Sequence, residues 1–119
     1  MRIIRATVKP ERVIADWGSR GVAMSCVSEF ASNEGARVAL GTYGPTSILG
    51  RHPTGSWQAF AIVDGAGWVE GDDGERYDVG AGDLVVWEPG EEHTSGSETG
   101  MRVCIVQTTR DPAPGALRA

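Results

Sequence analysis

The chemistry open to this 119-residue chain centres on two histidines, because His52 and His93 are the only imidazoles it contains. His52 lies in a turn-forming stretch before the apolar run that begins at Trp57. His93 follows the turn-forming pair Pro89 and Gly90. An imidazole can bind a divalent metal, and a solitary histidine can equally be a hydrogen-bonded polar group. Residue type alone leaves both roles open.

The residues around His52 have the spacing of a known family motif. Gln58 lies six residues after His52, and Gly65 lies seven residues after Gln58. This spacing resembles the first motif of the cupin family, which runs glycine, histidine, second histidine, glutamate, glycine. In that register His52 stands at the first histidine and Thr54 at the second. Gln58 then replaces the glutamate, Gly65 is the closing glycine, and Thr46 occupies the place of the opening glycine.

The residues around His93 resemble the second motif of the same family. Gly82, Gly90 and His93 match that motif in register. Glu88 replaces its proline, and Ser97 replaces its final asparagine. Together the two motifs extend from about residue 36 to about residue 107, within a single domain expected to span residues 1–119, with 109–119 as a loose tail.

This resemblance implies an all-β fold, the double-stranded β-helix or jelly-roll barrel. It also implies a divalent metal held inside the barrel by three histidines and a glutamate. The ligands left in this chain are His52, His93 and the amide of Gln58, which favour iron, manganese, nickel or zinc. The metal would act on a small organic molecule by oxygenation, isomerisation or lyase chemistry. Because of the departures at Thr54 and Gln58, a non-catalytic module that binds a sugar or organic acid without metal stays open.

Further residues could surround the site implied by the resemblance. Tyr43, Thr54, Phe60 and Trp87 are candidates to line a pocket, because binding pockets are largely apolar with a few polar groups. The acidic residues of the second motif could supply a general acid or base, but solvated loop positions are the simpler interpretation; they are Glu88, Glu91 and Glu92.

The remaining sequence predicts short strands separated by turns. Two turn-forming stretches, Asp64-Gly65 and Asp72–Gly74, predict hairpins. Apolar residues at helical spacing behind Pro10 suggest one or two helical turns up to Trp17. The predicted strands cover 22–30, 36–43, 57–63, 67–70, 75–79, 83–87 and 101–108.

Several predicted strands are apolar on both faces. Residues 57–63 carry apolar side chains at nearly every position, with Gln58 as the exception. A half-solvated antiparallel sheet would alternate apolar with polar residues. We therefore expect a homodimer that buries the outer barrel face, including Trp57.

The composition narrows the class of protein further. Sixteen acidic and eleven basic residues give a net charge of −5, which disfavours binding to nucleic acid. The longest apolar run is too short to cross a membrane, and the N-terminus has no signal-peptide pattern. Cys26 and Cys104 are more easily understood as small apolar residues than as a disulfide. The expected location is the cytoplasm, and the expected partner is a small molecule.

Overall fold

The computed structural model describes residues 1–5, 11–29 and 35–115. Within these residues the chain forms eight strands and one 3₁₀ turn, at Asp16–Gly18, and every strand pairing is antiparallel. The all-β class expected from the sequence is confirmed. The strands are β1 Arg12–Val13, β2 Arg20–Glu29, β3 Ala36–Pro53, β4 Trp57–Glu70, β5 Arg76–Gly80, β6 Leu84–Trp87, β7 Glu92–Ser97 and β8 Met101–Thr108.

The two long strands, β3 and β4, close the barrel because each pairs with both β7 and β8. The first part of β3, residues 36–43, pairs with β8, and residues 47–53 pair with β7. Similarly, β4 pairs with β8 over 57–65 and with β7 over 68–70. The circuit β3–β8–β4–β7 is therefore closed, as the double-stranded β-helix requires, and β2, β5 and β6 extend it.

The apolar core fills the inside of this circuit. The strand period places alternate side chains inward, and the inward residues of β8, β4 and β3 are almost fully buried. Phe60, Ile62, Val103 and Tyr43 are each no more than 2% exposed. Trp87, whose direction the strand period alone left undecided, is 3% exposed and belongs to the same core.

The hairpin predicted at Asp64-Gly65 is wrong, whereas the one predicted at Asp72–Gly74 is confirmed. At Asp64-Gly65 the strand continues, and the register against β8 shifts between Ile62 and Asp64 as in a β-bulge. Gly65 has φ of +80°, which both a tight hairpin and a bulge can use, so the residue pair does not distinguish them. In the second case β4 and β5 are joined by a turn in which the Gly74 N–H donates to the Gly71 carbonyl.

The helical turns predicted before Trp17 are largely wrong. Pro10 lies outside the described residues. Arg12 and Val13 form β1 against β2, and only the 3₁₀ turn follows. Val13 is 73% exposed and Ile14 is buried, an alternation typical of an extended segment.

Strand β7, like the short β1, has no counterpart in the sequence prediction. Strand β7 has the sequence Glu-His-Thr-Ser-Gly-Ser, without a single aliphatic side chain, yet residues 93–97 are all buried. Residues 109–115 form no strand, and 116–119 of the expected tail lie outside the described residues.

Candidate active site at the histidine pair

Strands β3 and β7 place the two histidines opposite each other. His52 and His93 are direct cross-strand partners, so their side chains lie on the same face of the sheet. Their ring centroids are 4.3 Å apart, with the ring planes inclined by 56°. The two sequence motifs therefore meet at one point of the barrel.

The hydrogen bonds of the two rings leave the same nitrogen available on each. His52 Nδ1 lies 2.7 Å from the Gly50 carbonyl oxygen, and His93 Nδ1 lies 3.4 Å from that of Glu91. A carbonyl only accepts, so Nδ1 carries the proton and Nε2 keeps its lone pair. His93 Nε2 is buried and has no hydrogen-bond partner among the described residues. A carbonyl bond at one ring nitrogen is the usual way in which proteins orient a metal-binding histidine.

Burial keeps His93 neutral. Burial and, to a smaller extent, repulsion from His52 lower the pKa of His93 to about 4, although the Glu91 carbonyl opposes the shift. At neutral pH the ring is therefore the unprotonated imidazole that a metal ion requires.

Indole rings flank the histidine pair on both sides. Trp17, from the 3₁₀ turn, stacks on His52 with centroids 4.1 Å apart and planes within 12°. Trp87, at the end of β6, lies 4.3 Å from the His93 ring and contacts Phe60 edge-on. The site is therefore a polar pair within an aromatic wall, and Trp17 is a residue that no nearby sequence signal indicated.

Gln58 shares the inner face of the barrel with these rings. It is 6% exposed and is the cross-strand partner of Trp87, which in turn contacts His93. In the described ranges, no three histidine, cysteine, aspartate or glutamate side chains come together as a metal-binding group.

Thr54, at the second histidine position of the motif, forms hydrogen bonds to the neighbouring loop and not to the histidine pair. Its hydroxyl donates to the Glu88 carbonyl over 2.6 Å, and its N–H donates to the Glu91 carbonyl. Its own carbonyl accepts from the Gly90 N–H. Thr54 thus fixes the turn before β7, which sets the height of His93 in the barrel.

The carboxylates near the second motif also hold loops together. Glu91 Oε1 accepts from the Glu88 N–H, and Glu92 lies 3.8 Å from the Arg51 guanidinium. Arg51 also donates to the carbonyls of Gly71 and Asp72, which ties the β4–β5 turn to the end of β3 beside His52. These contacts support the simpler interpretation for Glu88 and Glu91, which are loop positions, whereas Glu92 is the first residue of β7.

Further inside, a second polar pair faces the core. The Tyr43 hydroxyl lies 2.7 Å from Ser95 Oγ, and burial raises the pKa of Tyr43 far above its usual value. The phenol is therefore a neutral hydrogen-bonding group at all ordinary pH values. Tyr43 was a sequence candidate, whereas Ser95, two residues after His93 on the same strand face, was missed because β7 was not recognised as a strand.

The backbone explains the glycines of both motifs. Gly65, Gly82 and Gly90 all have positive φ, between 80° and 95°, which side chains rarely adopt. Thr46, in the place of the missing opening glycine, has φ of +58°. A β-branched residue is strained there, so the position requires a glycine-like backbone even though this chain has a threonine.

The fold and the site together indicate the class of protein: a closed antiparallel double-stranded β-helix with a histidine pair inside the barrel. The family model for the cupin domain matches residues 37–106, and the chain belongs to the cupin family. The resemblance drawn from the two motifs is thereby confirmed.

Solved structures with the same fold include three of nearly equal likeness. The polyketide cyclase RemF from Streptomyces resistomycificus superposes with a TM-score of 0.76 at 15% identity, covering 95% of this chain and 82% of its own. A predicted oxalate decarboxylase from Thermotoga maritima gives 0.72 at 23%, covering 92% and 100%. KdgF from Halomonas sp. gives 0.71 at 16%, covering 94% and 96%. No curated protein sequence matches this chain.

Proposed function

We propose that this cupin binds a divalent metal through His52, His93 and Gln58 and acts there on a small organic molecule. The observation that carries the proposal is the buried His93 Nε2, which has no hydrogen-bond partner among the described residues and adjoins the second imidazole. A buried polar atom without a partner is unfavourable, and a metal ion is a partner that both rings can share.

The charge of the donor set bears on the substrate class. Two neutral imidazoles and an amide leave the charge of a dipositive metal uncompensated by protein. An anionic group on the substrate, such as a carboxylate or enolate, is therefore favoured in the positions left open. The metal would supply Lewis-acid or dioxygen chemistry, for oxygenation, isomerisation or a lyase reaction.

The other residues of the site have separate tasks in this proposal. Trp87 and Phe60 exclude water around His93, which strengthens electrostatic interactions there. The neutral hydroxyls of Tyr43 and Ser95 offer hydrogen bonds deeper in the barrel. The names of two structural neighbours, a polyketide cyclase and a predicted oxalate decarboxylase, are consistent with an organic substrate.

A second candidate function is a module that binds a small organic ligand without metal. Thr54 favours it, because its hydroxyl is bonded to the Glu88 carbonyl and offers no replacement for the family's second histidine. In that case His93 Nε2 would accept a hydrogen bond from a ligand hydroxyl.

Metal analysis separates the two functions. The protein would be purified without a nickel column, and its metal content measured, alongside titration of the metal-free protein with iron, manganese, nickel and zinc. Stoichiometric binding that is lost in both His52→Ala and His93→Ala supports the metal site. Equal affinities for wild type and both variants would contradict it, and the metal-free module would then lead.

We further propose a homodimer through the outer face of the β3–β8–β4–β6 sheet. Four apolar or small residues in mutual register form a row across this face, and the two leucines at its ends are 41% and 51% exposed; the row is Leu40, Cys104, Ala61 and Leu84. Trp57 lies on the same face and is half-buried. An exposed apolar row of this kind is typical of an interface. Light scattering should give twice the chain mass, and Leu84→Lys should give the monomer.

The location proposed for the protein is the cytoplasm. Cys26 and Cys104 are both partly buried, on strands β2 and β8. No helix in the described part of the chain is long and apolar enough to span a membrane.

A further inference from the structure

Trp17 adopts a conformation that its own environment does not favour. Its indole is 53% exposed, and its backbone is left-handed, with φ of 59° and ψ of 28°. Bulky residues rarely adopt this region, and an exposed indole gains little from burial. Such a conformation persists where surrounding contacts hold it, and it often marks a functional position.

Two of the contacts that hold the Trp17 turn lead to the strand that carries His52, and a third leads to β2. Ser19 Oγ accepts a hydrogen bond from the Gly50 N–H over 3.0 Å. The Trp17 carbonyl packs so closely over Gly50 that a Cβ there would overlap it. Before the turn, the buried Ile14 donates its N–H to the Val22 carbonyl. The turn is therefore fixed two residues before His52, and the indole stacks on the imidazole.

The two histidines differ in how they are held. His93 is 1% exposed and packs against Trp87, so the barrel wall alone restricts its ring. His52 is only partly buried, and its Nδ1 bond to the Gly50 carbonyl holds the ring at one edge. The stack with Trp17 adds a second restraint across the face of the ring, because a nearly parallel ring at 4.1 Å opposes rotation about the Cβ–Cγ bond.

We propose that Trp17 is a positioning residue of the metal site, which holds His52 so that its Nε2 faces the same point as Nε2 of His93. The inference rests on the proposed metal-binding function. It assigns a role in the site to the N-terminal turn, which lies outside both family motifs. Loss of an outer group that orients a metal ligand typically weakens binding by about 10–100-fold.

The test is a calorimetric titration of the metal-free protein with zinc alone, which measures the zinc affinity. We expect Trp17→Ala to bind about 10-fold more weakly than wild type. Trp17→Phe, which retains an aromatic face, should remain within about 3-fold of wild type. Val13→Ala is the matched control, since Val13 lies on the same N-terminal segment and is 73% exposed. Its affinity should equal that of wild type.

An NMR measurement on the metal-free protein tests the restraint itself. The indole ring current should shift the His52 ring protons upfield in wild type, and the shift should disappear in Trp17→Ala while the His93 signals stay in place. If Trp17→Ala binds zinc as tightly as wild type, the positioning role of Trp17 is overturned and the proposed metal-binding function is not. Absence of zinc binding by wild type would overturn the proposed function, and the positioning role with it.

Discussion

Strands β7 and β8 occupy equivalent places in the barrel, because each lies between β3 and β4, yet they have opposite chemistry. The inward residues of β8 are Met101, Val103 and Ile105, all apolar and buried. The inward residues of β7 are His93, Ser95 and Ser97, all polar and equally buried. The fold therefore requires burial at both places and requires apolar side chains at only one.

This difference separates two parts of the barrel. The strands around β8 stabilise the folded state, and β7 carries the candidate site. On β7 the hydroxyls are bonded: Ser97 Oγ donates to the Ala66 carbonyl and accepts from the Gly100 N–H, and Ser95 pairs with Tyr43. His93 Nε2 is the exception. A buried polar strand contributes little hydrophobic free energy, so β8 and its neighbours must supply most of the stability.

The largest expected effect tests that division on the β8 side. Ile105→Ala removes buried apolar volume and should lower the free energy of unfolding by about 3 kcal/mol. Because Ile105 lies on the strand opposite the histidines, the metal affinity of the folded variant should not change. Urea denaturation and zinc titration measure the two quantities. A loss of affinity as large as the loss of stability would show that the two halves are not separate.

Acid should destabilise the metal-free protein through His93 on β7. The pKa of His93 is about 4 in the folded protein, and about 6.5 is usual for an unfolded chain. Between these values the unfolded state binds more protons, so the stability of the metal-free protein is fully present above about pH 6.5 and decreases as pH falls towards 4. The decrease attributable to His93 is at most about 3 kcal/mol.

Denaturation at pH 7 and pH 4.5 measures this dependence. In His93→Gln, the free energy of unfolding should decrease less between pH 7 and pH 4.5 than in wild type. In Ile105→Ala, the decrease should be the same as in wild type. The same slope in His93→Gln and wild type would mean that other groups control acid stability.

A smaller effect is expected from restoring the family's carboxylate. Gln58→Glu places a charged oxygen at nearly the same point, which offsets part of the metal's charge. We expect affinity for iron, manganese or zinc to rise by about 10-fold, whereas His52→Ala and His93→Ala should reduce it. Titration of each metal-free variant provides the comparison. Unchanged affinity in Gln58→Glu would remove Gln58 from the ligand set while leaving the histidines in it.

The smallest expected effect is a change in the free energy of unfolding at Thr46. This residue lies in β3 between the part that pairs with β8 and the part that pairs with β7. Thr46 has φ of +58°, and glycine adopts that conformation without strain. Thr46→Gly should therefore raise the free energy of unfolding by about 0.5–1 kcal/mol, because relief of strain exceeds the entropy that glycine loses. Thermal melting measures it, with Thr42→Gly, an exposed position in regular β3, as the control that should be destabilised.

The sequence by itself determined the family, the all-β class and the meeting of two histidines. Motif spacing carries these features because a strand has a constant rise, so residues at fixed offsets from the turn glycines reach fixed places in the barrel. The positive φ values at Gly65, Gly82 and Gly90 have the same origin. Even the departure at Thr46 was visible as a missing glycine.

The tertiary structure alone decided three other features. A polar strand such as β7 has no apolar period to reveal it, because its burial depends on neighbours rather than on its own side chains. Asp64-Gly65 continues β4, next to the register shift between Ile62 and Asp64, because β4 pairs with β8 before this point and with β7 after it; the local sequence is equally suited to a turn. The stack of Trp17 on His52 joins segments far apart in the chain, and only the folded barrel brings such segments into contact.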